Sequence, residues 1–270
     1  MIRLKPLLEV RELTVVYKVR DTMKYAVKNV SFTLGEDEVL AIVGESGSGK
    51  STIALSIVGA LPENAVVVRG RILFKGVDLL RLRPSERRDI NGKEISIIYQ
   101  DPIAHLNPLR KVRLIFKDLF EDHGVEFNIQ KVLELLRKLK VPDPQRVLES
   151  YPFQLSGGMA QRVFIALALV LNPKLLIADE PTSALDLTIQ AQVVRLLREV
   201  RESFRISMII ITHDIGVATS IADRILVMCD GELVEEGSPE EVLLRPKSKY
   251  TANLVNSTKT LYEGVMSWVY

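Results

Sequence analysis

The segment EVLAIVGESGSGKSTIALSIV, residues 38–58, constrains the fold of this chain more than any other. EVLAIVG is a short, nearly continuous apolar run with β-branched residues, the pattern of a strand buried on both faces. STIALSIVGALP, from Ser51, predicts a helix running to about Pro62. Between them GESGSGKS (44–51) fits G-x-x-x-x-G-K-S/T in the strand–loop–helix context that this pattern requires. Its glycines let backbone N–H groups wrap around phosphate oxygens without a Cβ in the way. The following helix turns its positive end toward the same charge. Gly44, Glu45, Ser46, Gly47, Ser48, Gly49 and Thr52 are therefore expected to line a nucleotide phosphate chain. Lys50 is expected on the β- and γ-phosphates, and the Ser51 hydroxyl on Mg²⁺.

The rest of the chain reads as the frame for that loop. LLEVRELTVVY and YAVKNVSFTL alternate apolar and polar residues, which predicts antiparallel strands with one solvated face. EISIIYQ (94–100), KLLIAD (174–179) and ISMIIIT (206–212) are further buried-strand candidates, the last two separated by the helical pattern QAQVVRLLREVRESF. Strands alternating with helices predict an α/β domain with a parallel sheet. From about 101 to 165 the texture becomes helical: NIQKVLELLRKLKV puts Ile129, Val132, Leu133, Leu136 and Leu139 on one face. Asp230-Gly231, between alternating strands, predicts a hairpin. Ser238-Pro239-Glu240-Glu241 supplies an N-cap, a proline at the first helical position and a capping-box glutamate. The tail beyond about 250 carries no clear signal.

Composition narrows the class. Lys plus Arg number 36 against 34 Asp plus Glu, with no basic stripe, so no nucleic-acid partner is expected. Cys229 is the single cysteine, which excludes an internal disulfide and a multi-cysteine metal site. MIRLKPLLEV lacks the apolar stretch of a signal peptide, and VFIALALVL (163–171) is too short to span a bilayer and reads as a buried helix. The expectation is a protein of the reducing cytosol, held at a membrane, if at all, by something else.

Several residues stand at the ends of predicted strands, where open α/β sheets bind ligands. Asp179 and Glu180 follow such a run: Asp179 suits Mg²⁺ through water, and Glu180 suits polarising the water that attacks the γ-phosphate. Alternatively the pair caps the next helix. His213 follows MIIIT and suits the γ-phosphate or the attacking water. Gln100 suits Mg²⁺ or that water through its carbonyl. Tyr17 is the candidate adenine platform, with Tyr25 second; either also suits an ordinary core or edge aromatic. QLSGGMAQR (154–162) is a second glycine-rich stretch. If it opens the helix MAQRVFIALALVL, Ser156 is its N-cap and its free N–H groups attract phosphate.

Taken together and in order, GESGSGKS, Gln100, LSGGM, LLIADE, SALD and His213 resemble the nucleotide-binding subunit of ABC transporters over nearly the whole chain. The resemblance implies a two-lobed ATPase working as an ATP-sandwich dimer. Ser156, Gly157 and Gly158 would then cap the γ-phosphate of ATP held by the partner subunit's phosphate loop, and Asp186 would help join the two sites. YQDPIAHLNPL, YPFQLSGGMAQRV and Met159 look like the ATPases of the peptide and nickel importer group, some of whose members serve oligosaccharides. That group carries a cysteine-rich C-terminal extension. KYTANLV (249–255) resembles the segment leading into it, and with Cys229 alone no iron–sulfur cluster is expected.

The fold class expected is α/β: a P-loop NTPase core with a mostly parallel sheet, an N-terminal antiparallel β subdomain and an inserted helical subdomain. One ABC ATPase domain would divide into 1–100 (β subdomain and first part of the core), 101–165 (helical subdomain with the signature), 166–237 (second part of the core) and 238–270 (helical tail). The expected cofactors are ATP and Mg²⁺. The expected partners are two permease subunits, a second ATPase chain different from this one, and a substrate-binding protein indirectly, at the cytoplasmic face of the membrane. The region 101–150 would meet the permease. A soluble ABC ATPase acting on nucleic acid or ribosomes is the alternative. The gap between Gln100 and LSGG is too short for a long coiled coil, and a P-loop kinase or GTPase would have no use for LSGGM or SALD.

Overall fold

Strands in this chain are made in two ways: alternating sequences form half-solvated antiparallel ribbons, and continuous apolar runs form buried strands. The computed structural model describes residues 5–99, 106–182 and 187–262. In chain order the elements are β1 (Leu8–Val19), β2 (Thr22–Leu34), β3 (Val39–Val43), α1 (Lys50–Val58), β4 (Ala65–Phe74), β5 (Val77–Asp78), α2 (Pro84–Ile90), β6 (Ile95–Ile98), α3 (Val112–Asp122), α4 (Ile129–Lys138), α5 (Pro144–Glu149), α6 (Gly157–Leu169), β7 (Leu175–Asp179), α7 (Leu187–Phe204), β8 (Ser207–Thr212), α8 (Ile215–Ile221), β9 (Arg224–Cys229), β10 (Glu232–Gly237), α9 (Pro239–Leu244) and α10 (Lys249–Tyr262). They fall into two units, Met1–Leu82 with Thr182–Tyr270, and Arg83–Pro181.

In the first unit, β2, β1, β4 and β5 pair antiparallel in that order. The buried side chains of this sheet include Val10, Leu13, Val15, Val27, Val30 and Ile72; register shifts between Val10 and Leu13 interrupt the strict alternation of β1. β3 runs parallel to β8 on one side and β9 on the other, and β10 returns antiparallel to β9. Every residue of β3 is fully buried. Ala41 and Val43 of β3 and Ile225 and Val227 of β9 meet Ile215, Ala218, Val242, Leu254 and Val255 from α8, α9 and α10. Each valine, leucine or isoleucine side chain among them contributes about 1.5–3 kcal/mol on burial.

Local chemistry sets several boundaries in this unit. The β9–β10 turn is Asp230-Gly231 with φ of 47° and 84°, the doubly left-handed geometry whose twist matches the flanking strands. Ser238 caps α9, with Pro239 at its first position and Glu241 closing the capping box. α1 ends at Val58, short of the expected Pro62. Gly59 takes the left-handed conformation, and the N–H of Ala60 bonds to the Leu55 carbonyl, so a glycine cap stops the helix before the proline is reached.

In the second unit, β6 and β7 run parallel, and α3, α4, α5 and α6 pack on one another, with α6 also against β6. Val132, Leu133, Leu136 and Leu139 are buried as the helical spacing predicts; Leu135 joins them, and Ile129, at the helix start, is half-buried. Phe116 and Phe120 of α3 fill the middle. α6 buries Ala160, Val163, Ile165, Ala166, Ala168 and Leu169. Among the described residues no helix is long and apolar enough to cross a membrane.

Candidate active site

The first unit holds the glycine-rich loop between β3 and α1. Lys50 is only 4% exposed, and a buried ammonium needs oxygen around it. Its Nζ donates to the carbonyls of Gly44 and Glu45, each at 2.8 Å, and lies 3.4 Å from Ser48 Oγ. Gly49, the N-cap of α1, has no side chain to accept from the first turn. The first turn of a helix presents backbone N–H groups toward which an anion is attracted. Gly49 sits at φ 100°, and a Cβ on it would lie 2.1 Å from the Ala26 carbonyl oxygen of β2.

Segments far away in sequence support the loop. The Gly231 N–H at the hairpin tip donates to the Ser48 carbonyl at 3.1 Å, and the Gly231 carbonyl accepts from Lys28 N at 2.8 Å. The Glu45 N–H donates to the Tyr250 hydroxyl of α10 at 2.9 Å. Neither link has a local sequence signal; the hairpin was legible as a turn, but not as a brace.

Tyr17 is half-buried, its hydroxyl 3.3 Å from Thr52 Oγ1, so β1 does bring it to the first turn of α1. Tyr25 pairs with Val16, the neighbour of Tyr17, and therefore lies on the other face of the ribbon, 55% exposed. His213 follows Thr212, the register partner of Val43, so the loop at Gly44 and the imidazole leave the same sheet edge side by side. Asp214 holds that turn: its N–H donates to Thr212 Oγ1, and its carboxylate caps α8 by accepting from Gly216 and Val217 N–H. His213 itself is exposed.

In the second unit, Asp179 ends β7 and Glu180 turns the chain out of it at φ 51°. A non-glycine residue in the left-handed region is uncommon and costs free energy, and such residues gather at functional sites. Ile98 and Ala178 are register partners, which sets Tyr99 next to Asp179. Burial pushes the Tyr99 phenol up, and the Asp179 carboxylate pushes it further. Ser156 is the N-cap of α6, its hydroxyl accepting from Met159 N at 3.4 Å. Ser156, Gly157 and Gly158 are all exposed, and a Cβ on either glycine would meet nothing within 4 Å among the described residues. Ahead of Met159, the N–H groups of Gly157 and Gly158 have no carbonyl one turn back within the helix to donate to. Gln100 and Asp186 lie outside the described residues.

The donors fit Mg²⁺ brought by a nucleotide. Among the described residues no group of three or more His, Cys, Asp or Glu could hold a metal by itself. The Ser51 hydroxyl in the first unit and the Asp179 carboxylate in the second are each a hard oxygen donor of a kind that suits Mg²⁺.

A buried strand ending in a phosphate loop, flanked in register by a strand ending in histidine, defines the class: a P-loop nucleoside-triphosphatase. Within that class the chain belongs to the ABC transporter family, whose model matches residues 27–183. The oligopeptide transport ATP-binding protein OppD of Bacillus subtilis is 44% identical over 265 residues, 97% of this chain and 74% of that protein. The dipeptide transport ATP-binding protein DppD of Caldanaerobacter subterraneus is 46% identical over 255 residues, 93% of this chain and 78% of that one. The solved dimer of the ATP-binding cassette MJ0796, in a post-hydrolysis state bound to ADP and Pi, is 30% identical with a TM-score of 0.73, covering 86% of this chain and 98% of that one. The chain is thus an ATP-binding, ATP-hydrolysing component of an ABC transporter, with the α/β fold expected of it.

Proposed function

We propose that this chain energises uptake of peptides through a membrane permease, dimerising with a second, different ATPase chain around two ATP molecules. Lys50 would bind the β- and γ-phosphates, Ser51 and Asp179 would hold Mg²⁺ with Gln100 as a further ligand, Glu180 would orient and deprotonate water, His213 would support the γ-phosphate, and Tyr17 would stack on adenine. Mg²⁺ would supply charge neutralisation between the phosphates. The observation that carries the dimer is the start of α6. Two successive glycines there lower helix propensity, and a Cβ on either would meet nothing within 4 Å among the described residues. Their bareness makes sense if a phosphate held by another subunit must approach the backbone closely. Asp186 would join the two sites. The names of the relatives narrow the substrate to oligopeptides and dipeptides. Two permease subunits would hold the chain at the cytoplasmic face, meeting the region 101–150, with a substrate-binding protein acting indirectly and no nucleic acid involved.

The test is uptake into proteoliposomes carrying the permease subunits, both ATPases and a binding protein, with ATP on the ATPase side. Labelled di- and oligopeptides are expected to enter, and Glu180→Gln is expected to bind ATP, accumulate an ATP-dependent dimer and lose turnover by about 10²- to 10⁴-fold. Transport of nickel or oligosaccharide without peptide would overturn the substrate, and normal phosphate release from Glu180→Gln would overturn its role.

A further inference from the structure

The contact between Tyr250 and Glu45 joins residues 205 positions apart. Its meaning lies in which peptide it holds. The Glu45 N–H and the Gly44 carbonyl belong to one peptide unit, and no peptide bond among the described residues is cis. A trans peptide is planar, with its N–H and C=O pointing in opposite directions. Fixing the N–H therefore fixes the direction of the carbonyl. Tyr250 accepts from that N–H at 2.9 Å, and the carbonyl at the other end accepts from Lys50 Nζ at 2.8 Å. The next carbonyl, of Glu45, takes both Lys50 Nζ at 2.8 Å and Ser48 N–H at 3.2 Å.

The hydroxyl is itself firmly placed. Glu235 of β10, 6% exposed, accepts from the N–H groups of Lys247 and Ser248 at 2.8 and 2.9 Å. The Ser248 hydroxyl accepts from Thr251 N–H at 2.9 Å and shares a 2.7 Å bond with the fully buried Thr251 hydroxyl. One turn further, Leu254 and Val255 lock α10 onto Ala41 and Val43 of the strand that feeds the loop, and Tyr250 packs against the same cluster. Burial raises the Tyr250 phenol above its ordinary value, so the group is a neutral hydroxyl at physiological pH.

We infer that Tyr250 is a positioning residue for Lys50, acting through the Gly44–Glu45 peptide, and that α10 is thereby part of the nucleotide site. The inference rests on the reading of Lys50 as the phosphate-binding lysine. Without the hydroxyl the peptide is free to rotate, the carbonyl no longer presents a fixed acceptor, and the ammonium meets the phosphates less well aligned. The aromatic ring remains to fill its place against the cluster, so the fold is kept.

The experiment compares Tyr250→Phe, Thr251→Val and Lys50→Ala in the full chain, by calorimetric titration with MgATP and with AMP and by thermal melting without nucleotide. Tyr250→Phe is expected to weaken MgATP about fivefold to tenfold while leaving AMP affinity unchanged, and to lower the nucleotide-free melting temperature by no more than the roughly 2–4 °C that one hydrogen bond is worth. Thr251→Val, which loosens α10 but keeps the hydroxyl, is expected to lower the melting temperature and leave MgATP affinity alone. If Tyr250→Phe binds MgATP normally while Lys50→Ala does not, the inference falls and the reading of the loop stands. If both α10 variants lose affinity and melting temperature in step, Tyr250 merely holds a helix, and the inference again falls. If Lys50→Ala binds MgATP normally, the reading of the loop falls first.

Discussion

Gly49 carries two constraints at once, a left-handed backbone and a carbonyl oxygen 2.1 Å from where a Cβ would stand. Gly49→Ala must bear strain of roughly 1–3 kcal/mol in the backbone and must also displace Ala26 of β2. It is expected to weaken MgATP binding more than tenfold and to lower the melting temperature by at least about 2–4 °C, checked by titration and thermal melting. Wild-type affinity in this variant would show that the loop tolerates a different path. At this scale the sequence was most informative, because GESGSGKS needs only its own residues to be recognised. Lys50 and Ser156 were legible for that reason. Tyr250 was not: a tyrosine in a tail offers no sign that a backbone N–H made two hundred positions earlier will meet it.

Elements whose ends are written in side-chain chemistry fall where the sequence places them. Ser156 on α6, Ser238 with Glu241 on α9 and Asp230-Gly231 between β9 and β10 all act over a few residues. α1 was over-read because Pro62 is the louder breaker, although Gly59 comes first and can adopt the left-handed cap. α10 lies within the helical tail expected over 238–270, but its start could not be read, because Glu235 on another element fixes it and its buried face is short. α6 yields a prediction of opposite signs. Gly158→Ala fills open space on a helix, so it should stabilise the isolated chain by up to about 1 kcal/mol, raising its melting temperature by about 2–4 °C. The same methyl group should reduce ATP turnover in the assembled transporter, measured as phosphate release. A stabilised variant with full turnover would mean that the glycines serve this chain alone.

For the molecule as a whole, pairing was the part that sequence could not reach. Buried strands of similar composition do not name their neighbours, and it is tertiary packing that puts Val43 beside Thr212 and hence Gly44 beside His213. Long-range polar contacts are equally silent, Glu235 being the chief case. Burial pushes its carboxyl up, but the Thr251 hydroxyl, the Lys247 and Ser248 N–H groups and the Ser248 hydroxyl outweigh it, and the group lies below its ordinary 4.5. A carboxyl depressed by folding stabilises the fold above its unfolded value and loses that contribution as pH falls through the folded one. Glu235→Gln is therefore expected to cost about 2 kcal/mol near pH 7, and the gap to wild type should close as pH drops below 4.5, followed by denaturant unfolding at each pH. A gap independent of pH would remove charge from the explanation.

The bracing of the phosphate loop also has a consequence in time. Residues 44–51 leave the ribosome long before Gly231 and Tyr250 have been made, yet those two supply hydrogen bonds to Ser48 and Glu45. At about 5–20 residues per second, roughly 10–40 s of translation separate the loop from its braces. Throughout that interval the nascent chain has the phosphate-binding sequence without the full set of contacts that shape it, so a firm hold on ATP is expected only once β10 and α10 have been made.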